Sequence, residues 1–178
     1  MKKVLIVVDM QNDFITGSLG TKEAQEIVPN IKRKIDEYLK RGDEVFFTCD
    51  THYEDYLDTL EGQKLPVKHC VQGEDGWQVV PELRKIDCLY CNQVRSISKN
   101  TFGYIEWKDY IPYLDESLEI ELCGVCTDIC VISNALILRA IYPNATIVVD
   151  AFHCAGTTLK KHEAALEVMK SCQIDVIE

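Results

Sequence analysis

Six short runs of branched and other apolar residues recur along the chain, at 3–8, 44–49, 88–94, 118–125, 145–149 and 174–177. They are continuous rather than alternating, the pattern of strands buried on both faces and hence of a parallel sheet. The gaps are too wide for hairpins, and helical periodicity fills several of them. Ile27, Ile31, Ile35 and Leu39 repeat every four residues and stop at Gly42, a common helix C-cap, with Pro29 expected in the first turn or two. Residues 128–140 are apolar nearly all round, as in a buried helix. Ala165, Val168, Met169 and Cys172 mark one face of a last helix from about Thr158. Strands alternating with helices through right-handed crossovers predict an α/β fold, an open six-stranded parallel sheet covered by helices on both faces. The length suits a single domain over residues 1–178, with no repeat or linker. Residues 51–76 lack a period, and so long a loop in a compact domain usually serves function.

Composition excludes several classes of function. With 19 Lys+Arg against 29 Asp+Glu, the net charge is −10, and such a field repels nucleic-acid phosphates and anionic lipid. No nucleic-acid or membrane partner is expected, since no apolar run approaches the roughly 20 residues that span a bilayer. The run behind Lys2 and Lys3 ends at Asp9, short of the ~7–15 residues of a signal core, so a cytoplasmic protein is expected. The nine cysteines sit mostly within apolar runs and read as reduced, packed thiols rather than a disulfide framework. Cys88 and Cys91 have the spacing of a redox or zinc pair, but three residues apart on a strand they face opposite sides.

In an open parallel sheet, ligands bind beyond the carboxyl ends of the strands. There the first strand meets Asp9, followed by Met10-Gln11-Asn12-Asp13-Phe14, and the second meets Asp50-Thr51-His52. The third runs out into Arg95-Ser96-Ile97-Ser98-Lys99, and the fourth into Gly124-Val125-Cys126-Thr127-Asp128-Ile129-Cys130. Cys130 is expected in the first turn of a helix, where unpaired N–H groups and the dipole favour a thiolate, with Thr127 or Asp128 as cap. Lys99 would lower its pKa further and Asp9 would accept its proton, the arrangement of an activated nucleophile. Backbone N–H groups of Cys126 and Cys130 would form an oxyanion hole. Alone, each residue reads as ordinarily: a packed cysteine, a solvated lysine, a turn aspartate. Their convergence on one edge carries the weight.

Three blocks in order, Asp9-Met10-Gln11-Asn12-Asp13-Phe14, Lys99-Asn100-Thr101-Phe102-Gly103 and Gly124-Val125-Cys126-Thr127-Asp128-Ile129-Cys130-Val131, resemble the isochorismatase-like cysteine hydrolases, and within them the nicotinamidases. The likeness covers nearly the whole chain. It implies a catalytic triad of Asp9, Lys99 and Cys130, and a non-proline cis peptide between Val125 and Cys126 that aims an N–H into the oxyanion hole. Isochorismatases proper lack the cysteine, so Cys130 points to the amide-cleaving branch. The resemblance further implies a divalent metal ion on Asp50, His52 and His69, with Glu61 as fourth ligand. Such a set suits zinc first, with iron or manganese also fitting; otherwise His52 and His69 are loop histidines. It implies a small-molecule amide substrate and a homo-oligomer, dimer or tetramer. Phe14 and Phe102 are candidates for the pocket wall and read equally as core. Two departures stand out: residues 64–68 hold no aromatic against which a pyridine ring could pack, and Asn134-Ala135-Leu136-Ile137-Leu138 is off the family's usual pattern. The expected reaction is hydrolysis of nicotinamide to nicotinate and ammonia through a thioester. The other readings are a hydrolase of an N-carbamoyl compound or ureide on the same fold, or a non-catalytic binding member.

Overall fold

The computed structural model describes residues 2–84, 92–112 and 117–178. Strand β1 (Lys2–Val8) lies at the centre, and Val4 to Val8 are fully buried, as their unbroken apolar run requires. A short helix α1 (Asn12–Ile15) follows, then α2 (Lys22–Arg41), β2 (Glu44–Asp50) and a five-residue helix α3 (Leu60–Lys64). Next come β3 (Val94–Lys99), the one-turn α4 (Trp107–Tyr110) and β4 (Leu118–Val125). A π-helical turn (Thr127–Val131) leads into α5 (Ile132–Ile141), and β5 (Thr146–Ala155), α6 (Leu159–Ser171) and β6 (Asp175–Ile177) complete the chain. The six strands run in the order β3-β2-β1-β4-β5-β6 and every pairing is parallel. From β1 the chain steps one way to β2, and from β4 the other way to β5. Right-handed crossovers in opposite directions put α2 on one face and α5 and α6 on the other, and open a crevice between the carboxyl ends of β1 and β4.

Thr21 caps α2 through Ala24 N–H at 3.1 Å, and Gly42 N–H closes it on Leu39 O at 3.0 Å. Because the helix begins at Lys22, Pro29 falls in its third turn, deeper than the sequence reading put it. An interior proline costs about 3 kcal/mol. Burial of Ile27, Val28, Ile31, Ile35 and Leu39, at about 1.5–3 kcal/mol each, outweighs that. Beneath α2 lies a buried polar cluster. Lys34 pairs with Glu121 and, at 2.8 Å, with Asp150; Tyr38 donates to Glu121 at 2.5 Å, and His153 Nδ1 lies 2.9 Å from Asp150.

Three other expectations need correction. The third strand is Val94–Lys99, so the polar stretch read as its run-out is the strand itself; Cys88 and Cys91 lie outside the described residues. The expected helix over 128–140 opens as a π turn, and α5 buries only Asn134, Ala135 and Leu138 fully. Helix α6 starts about where expected, with Thr158 as its cap, but Val168 is half-exposed and Leu166 takes its place on the buried face. All seven cysteines among the described residues are free thiols. Among those residues, no helix is long and apolar enough to cross a membrane.

Candidate active site

Strand β1 ends because Asp9 turns into the left-handed region, φ 50°, where a non-glycine residue is strained and is often functional. Its N–H donates to Thr48 O at 3.1 Å, and Thr48 Oγ1 donates to Asp9 Oδ1 at 2.6 Å. Lys99, the last residue of β3, reaches across β2 so that its Nζ lies 2.7 Å from Asp9 Oδ2. The same ammonium lies 3.6 Å from Cys130 Sγ and 3.6 Å from Asp50 Oδ1. Cys130 comes from the other side of the crevice, on the π turn after β4. Gly124 lets that strand lie close to β1: its φ is +117°, and an added Cβ would stand 2.2 Å from Val8 O. The Val125–Cys126 peptide is cis, as the resemblance implies, and Cys126 O accepts N–H bonds from Ile129 (3.0 Å) and Val131 (3.1 Å). Such π turns recur at functional sites.

Neither expected cap serves the turn. Asp128 instead accepts from Thr157 N–H (2.7 Å) and Oγ1 (2.6 Å), and Thr127 Oγ1 bonds His162 Nδ1 (2.8 Å), strapping the turn to the start of α6. The thiolate expectation is also corrected. Burial pushes the Cys130 thiol well up and nearby Asp9 adds to this; Lys99 pulls it down but does not prevail. Burial likewise raises Asp9 against the pull of Lys99, and Lys99 stays cationic because Asp9, Cys130 and Asp50 outweigh its desolvation. Burial therefore favours the thiol form of Cys130, which lies beside the Lys99 ammonium and the Asp9 carboxyl.

The metal candidates converge next to this triad. Ligand atoms of Asp50, His52 and His69, all buried, lie within 4.8 Å of one another. His52 Nε2 stands 3.0 Å from Asp50 Oδ2 and His69 Nε2 3.5 Å from the same oxygen. His69 Nδ1 bonds Val67 O at 2.8 Å, which fixes its proton there and leaves the Nε2 lone pair directed inward. Burial pushes the Asp50 carboxyl up, but the two histidines facing it and the charge of Lys99 hold it well below the usual range. A buried carboxylate and two oriented imidazoles fit a divalent ion. Glu61 Oε1 lies 3.8 Å from His52 Nε2, beside the group at its more exposed edge.

Aromatic rings do flank the histidines, though none comes from residues 64–68. Tyr56, fully buried, packs on His52 (ring centroids 4.5 Å apart) and His69 (5.0 Å), and its hydroxyl donates to Leu65 O. Phe14 packs on His69 at 5.5 Å. Phe102, by contrast, is 47% exposed on the loop after Lys99. Sequence reasoning also missed Gln11, whose side chain bonds both the N–H and the C=O of Asp50.

The isochorismatase domain family model matches residues 3–178. The chain belongs to the isochorismatase family. Within it, the chain is 28% identical over 207 residues to a nicotinamidase of Schizosaccharomyces pombe, covering 97% of this chain and 91% of that one. The crystal structure of a nicotinamidase/pyrazinamidase from Bacillus subtilis superposes with a TM-score of 0.86 at 26% identity, each chain covered in full. A pyrazinamidase of Pyrococcus horikoshii in complex with zinc gives 0.79 at 27% identity, covering 100% of this chain and 99% of that one. Family membership and the six-stranded parallel sheet thus agree with the reading of the sequence blocks.

Proposed function

We propose that this isochorismatase-family chain hydrolyses a small ring-borne carboxamide, nicotinamide foremost, to the carboxylate and ammonia. The observation that carries this is one ammonium, Lys99 Nζ, in contact with Asp9 at 2.7 Å, Cys130 at 3.6 Å and Asp50 at 3.6 Å. It links a nucleophile and base to a buried chelating group. Asp9 accepts the proton of Cys130 as the sulfur attacks the carbonyl carbon. Backbone N–H groups of Cys126 and Cys130 hold the oxyanion. Collapse breaks the C–N bond, Asp9 returns its proton to nitrogen, and ammonia leaves a thioester on Cys130. Water then gives a proton to Asp9 and its oxygen to the thioester carbonyl. The C–S bond breaks, and the proton returns to sulfur. Lys99 favours the carboxylate form of Asp9, against the desolvation that raises its pKa.

A divalent ion held by Asp50, His52 and His69, zinc by the donor set, with Glu61 as fourth ligand, would supply a Lewis-acid anchor for a ring nitrogen, directly or through water. Tyr56 and Phe14 wall the histidines and suit a flat heteroaromatic ring better than an open-chain ureide. Ammonia release from nicotinamide, from benzamide (the same amide without the ring nitrogen) and from N-carbamoyl amino acids, each with and without a chelator, tests this. Nicotinamide is expected to lead, with a chelator-sensitive advantage over benzamide. Turnover confined to the carbamoyl compounds would sink the reading.

A further inference from the structure

Of the Asp9–Phe14 block, the chemistry above uses Asp9 and the ring of Phe14. The three residues between Met10 and Phe14 remain, and each bonds a different part of the chelating segment. Gln11, fully buried, donates from Nε2 to Asp50 O and to Trp77 O, both at 2.8 Å, while its Oε1 accepts the Asp50 N–H at 2.7 Å. The backbone of Asp50 is therefore gripped on both sides of the Cα that carries its carboxylate. Asp13 Oδ2 accepts the N–H of Cys70 at 2.8 Å. That N–H belongs to the peptide joining His69 to Cys70, and Cys70 sits in the left-handed region at φ 46°. The carbonyl of Cys70 accepts the N–H of His52 at 2.9 Å, so this one residue links both histidine arms. Gly76 makes room for the Asp13 carboxylate, since an added Cβ would stand 2.0 Å from its Oδ2. Asn12, half-exposed, donates to Asp75 O at 2.8 Å.

We propose that Gln11 and Asp13 are positioning residues for metal binding: Gln11 sets the aim of Asp50, and Asp13 sets the His69 arm. Outside β2, this segment holds its shape through short helical turns, a single β-bridge of His52 with Val71, and main-chain and side-chain bonds to the residues after β1, without an extended strand ladder behind the histidines. Partners in the second layer of a metal site typically change affinity by about 10–100-fold when removed. Asp13→Ala leaves the buried Cys70 N–H without its acceptor, whereas Asp13→Asn keeps an oxygen there. Gln11→Leu loses all three bonds, and Gln11→Glu keeps only the one to the Asp50 N–H.

The inference rests on the reading that Asp50, His52 and His69 bind a divalent ion, and the test separates the two. Zinc affinity of the full-length protein is measured by competition with a chromogenic chelator, well below each variant's unfolding midpoint. The rate of iodoacetamide labelling at Cys130, resolved by mass spectrometry, is followed in parallel. Asp13→Ala and Gln11→Leu are expected to bind zinc about 10–100-fold more weakly. Asp13→Asn should recover to within about threefold of the parent, Gln11→Glu should not recover, and Asn12→Ala should change little, its bond being exposed. Labelling at Cys130 should stay within about twofold in Asp13→Ala, because Asp13 touches the histidine arm and not the triad. Equal zinc affinity in the parent, Asp13→Ala and Gln11→Leu, with only the unfolding midpoint lowered, would overturn the inference and leave the metal reading standing. An unmodified protein that binds no zinc overturns both. Should Gln11→Leu fail to fold, the Asp13→Ala and Asp13→Asn pair decides alone.

Discussion

The two halves of the site are built differently. Asp9 and Lys99 stand at the carboxyl ends of β1 and β3, the two strands that flank β2, and Cys130 follows β4 within one turn. Their positions are inherited from the ladder of a sheet whose central strand is buried from Val4 to Val8. Of the chelating group, Asp50 alone lies on a strand, at the end of β2. His52, His69 and Glu61 belong to a segment with short turns and a five-residue helix, tied down by hydrogen bonds donated by Gln11 and Trp77 Nε1 and by one that Asp13 accepts. A catalytic constellation on strand ends is held by the global fold, whereas one on tethered loops opens at a lower, local free energy. The bond-breaking half is thus common framework, and the half that fits the substrate can be rebuilt tether by tether.

Cysteine 130 gives the largest expected effect. Cys130→Ala should lower amide turnover by about 10⁴-fold or more while the urea midpoint moves little, since only a sulfur is lost from a packed site. Retained turnover would refute the division of labour at its root. His69→Ala sharpens the contrast: zinc affinity should fall by more than about 100-fold, beyond the range of outer-layer partners, with a far smaller stability change. Gly124→Ala probes the framework half. Its Cβ meets Val8 O at 2.2 Å, so roughly 3 kcal/mol of stability should be lost in urea denaturation. If His69→Ala cost as much stability as Gly124→Ala, the two halves would be one cooperative unit and the comparison would fail.

The smallest effect lies beneath α2, away from both halves. Burial pushes the Asp150 carboxyl up, but hydrogen bonds from His153 and Lys34 outweigh it and leave it at about 2, below its ordinary 3.8. A carboxyl depressed in the folded state adds stability above its unfolded pKa and loses it as pH falls through the folded one. Urea midpoints should therefore decline between about pH 4 and pH 2, by on the order of 1–2 kcal/mol for this group. Asp150→Asn should flatten that slope, and an unchanged slope would show that the acid-sensitive group lies elsewhere.

The central sheet and the convergence of Asp9, Lys99 and Cys130 were legible because unbroken apolar runs mark interior parallel strands and the polar residues follow them directly. The edge strand β3 was misplaced for a physical reason: Arg95, Ser96 and Ser98 are exposed, so Val94–Lys99 lacks the apolar continuity of its neighbours. The π turn was not readable, since its composition suits an α-helix equally. Tyr56 was missed because residues 51–76 have no period to assign it a face, and its role depends on a fold-back that brings it onto two histidines. The ionisation of Cys130 went wrong for another reason. Sequence order gives its charged neighbours but not its desolvation, and desolvation wins.

That resting thiol has a consequence for survival in a cell. Peroxides and disulfides react with the anion of sulfur, not with a capped S–H. On the proposed mechanism, a sulfur that is 5% exposed and gives its proton to Asp9 only as it meets a carbonyl would stay dormant between turnovers, shielded from casual oxidation without any dedicated guard.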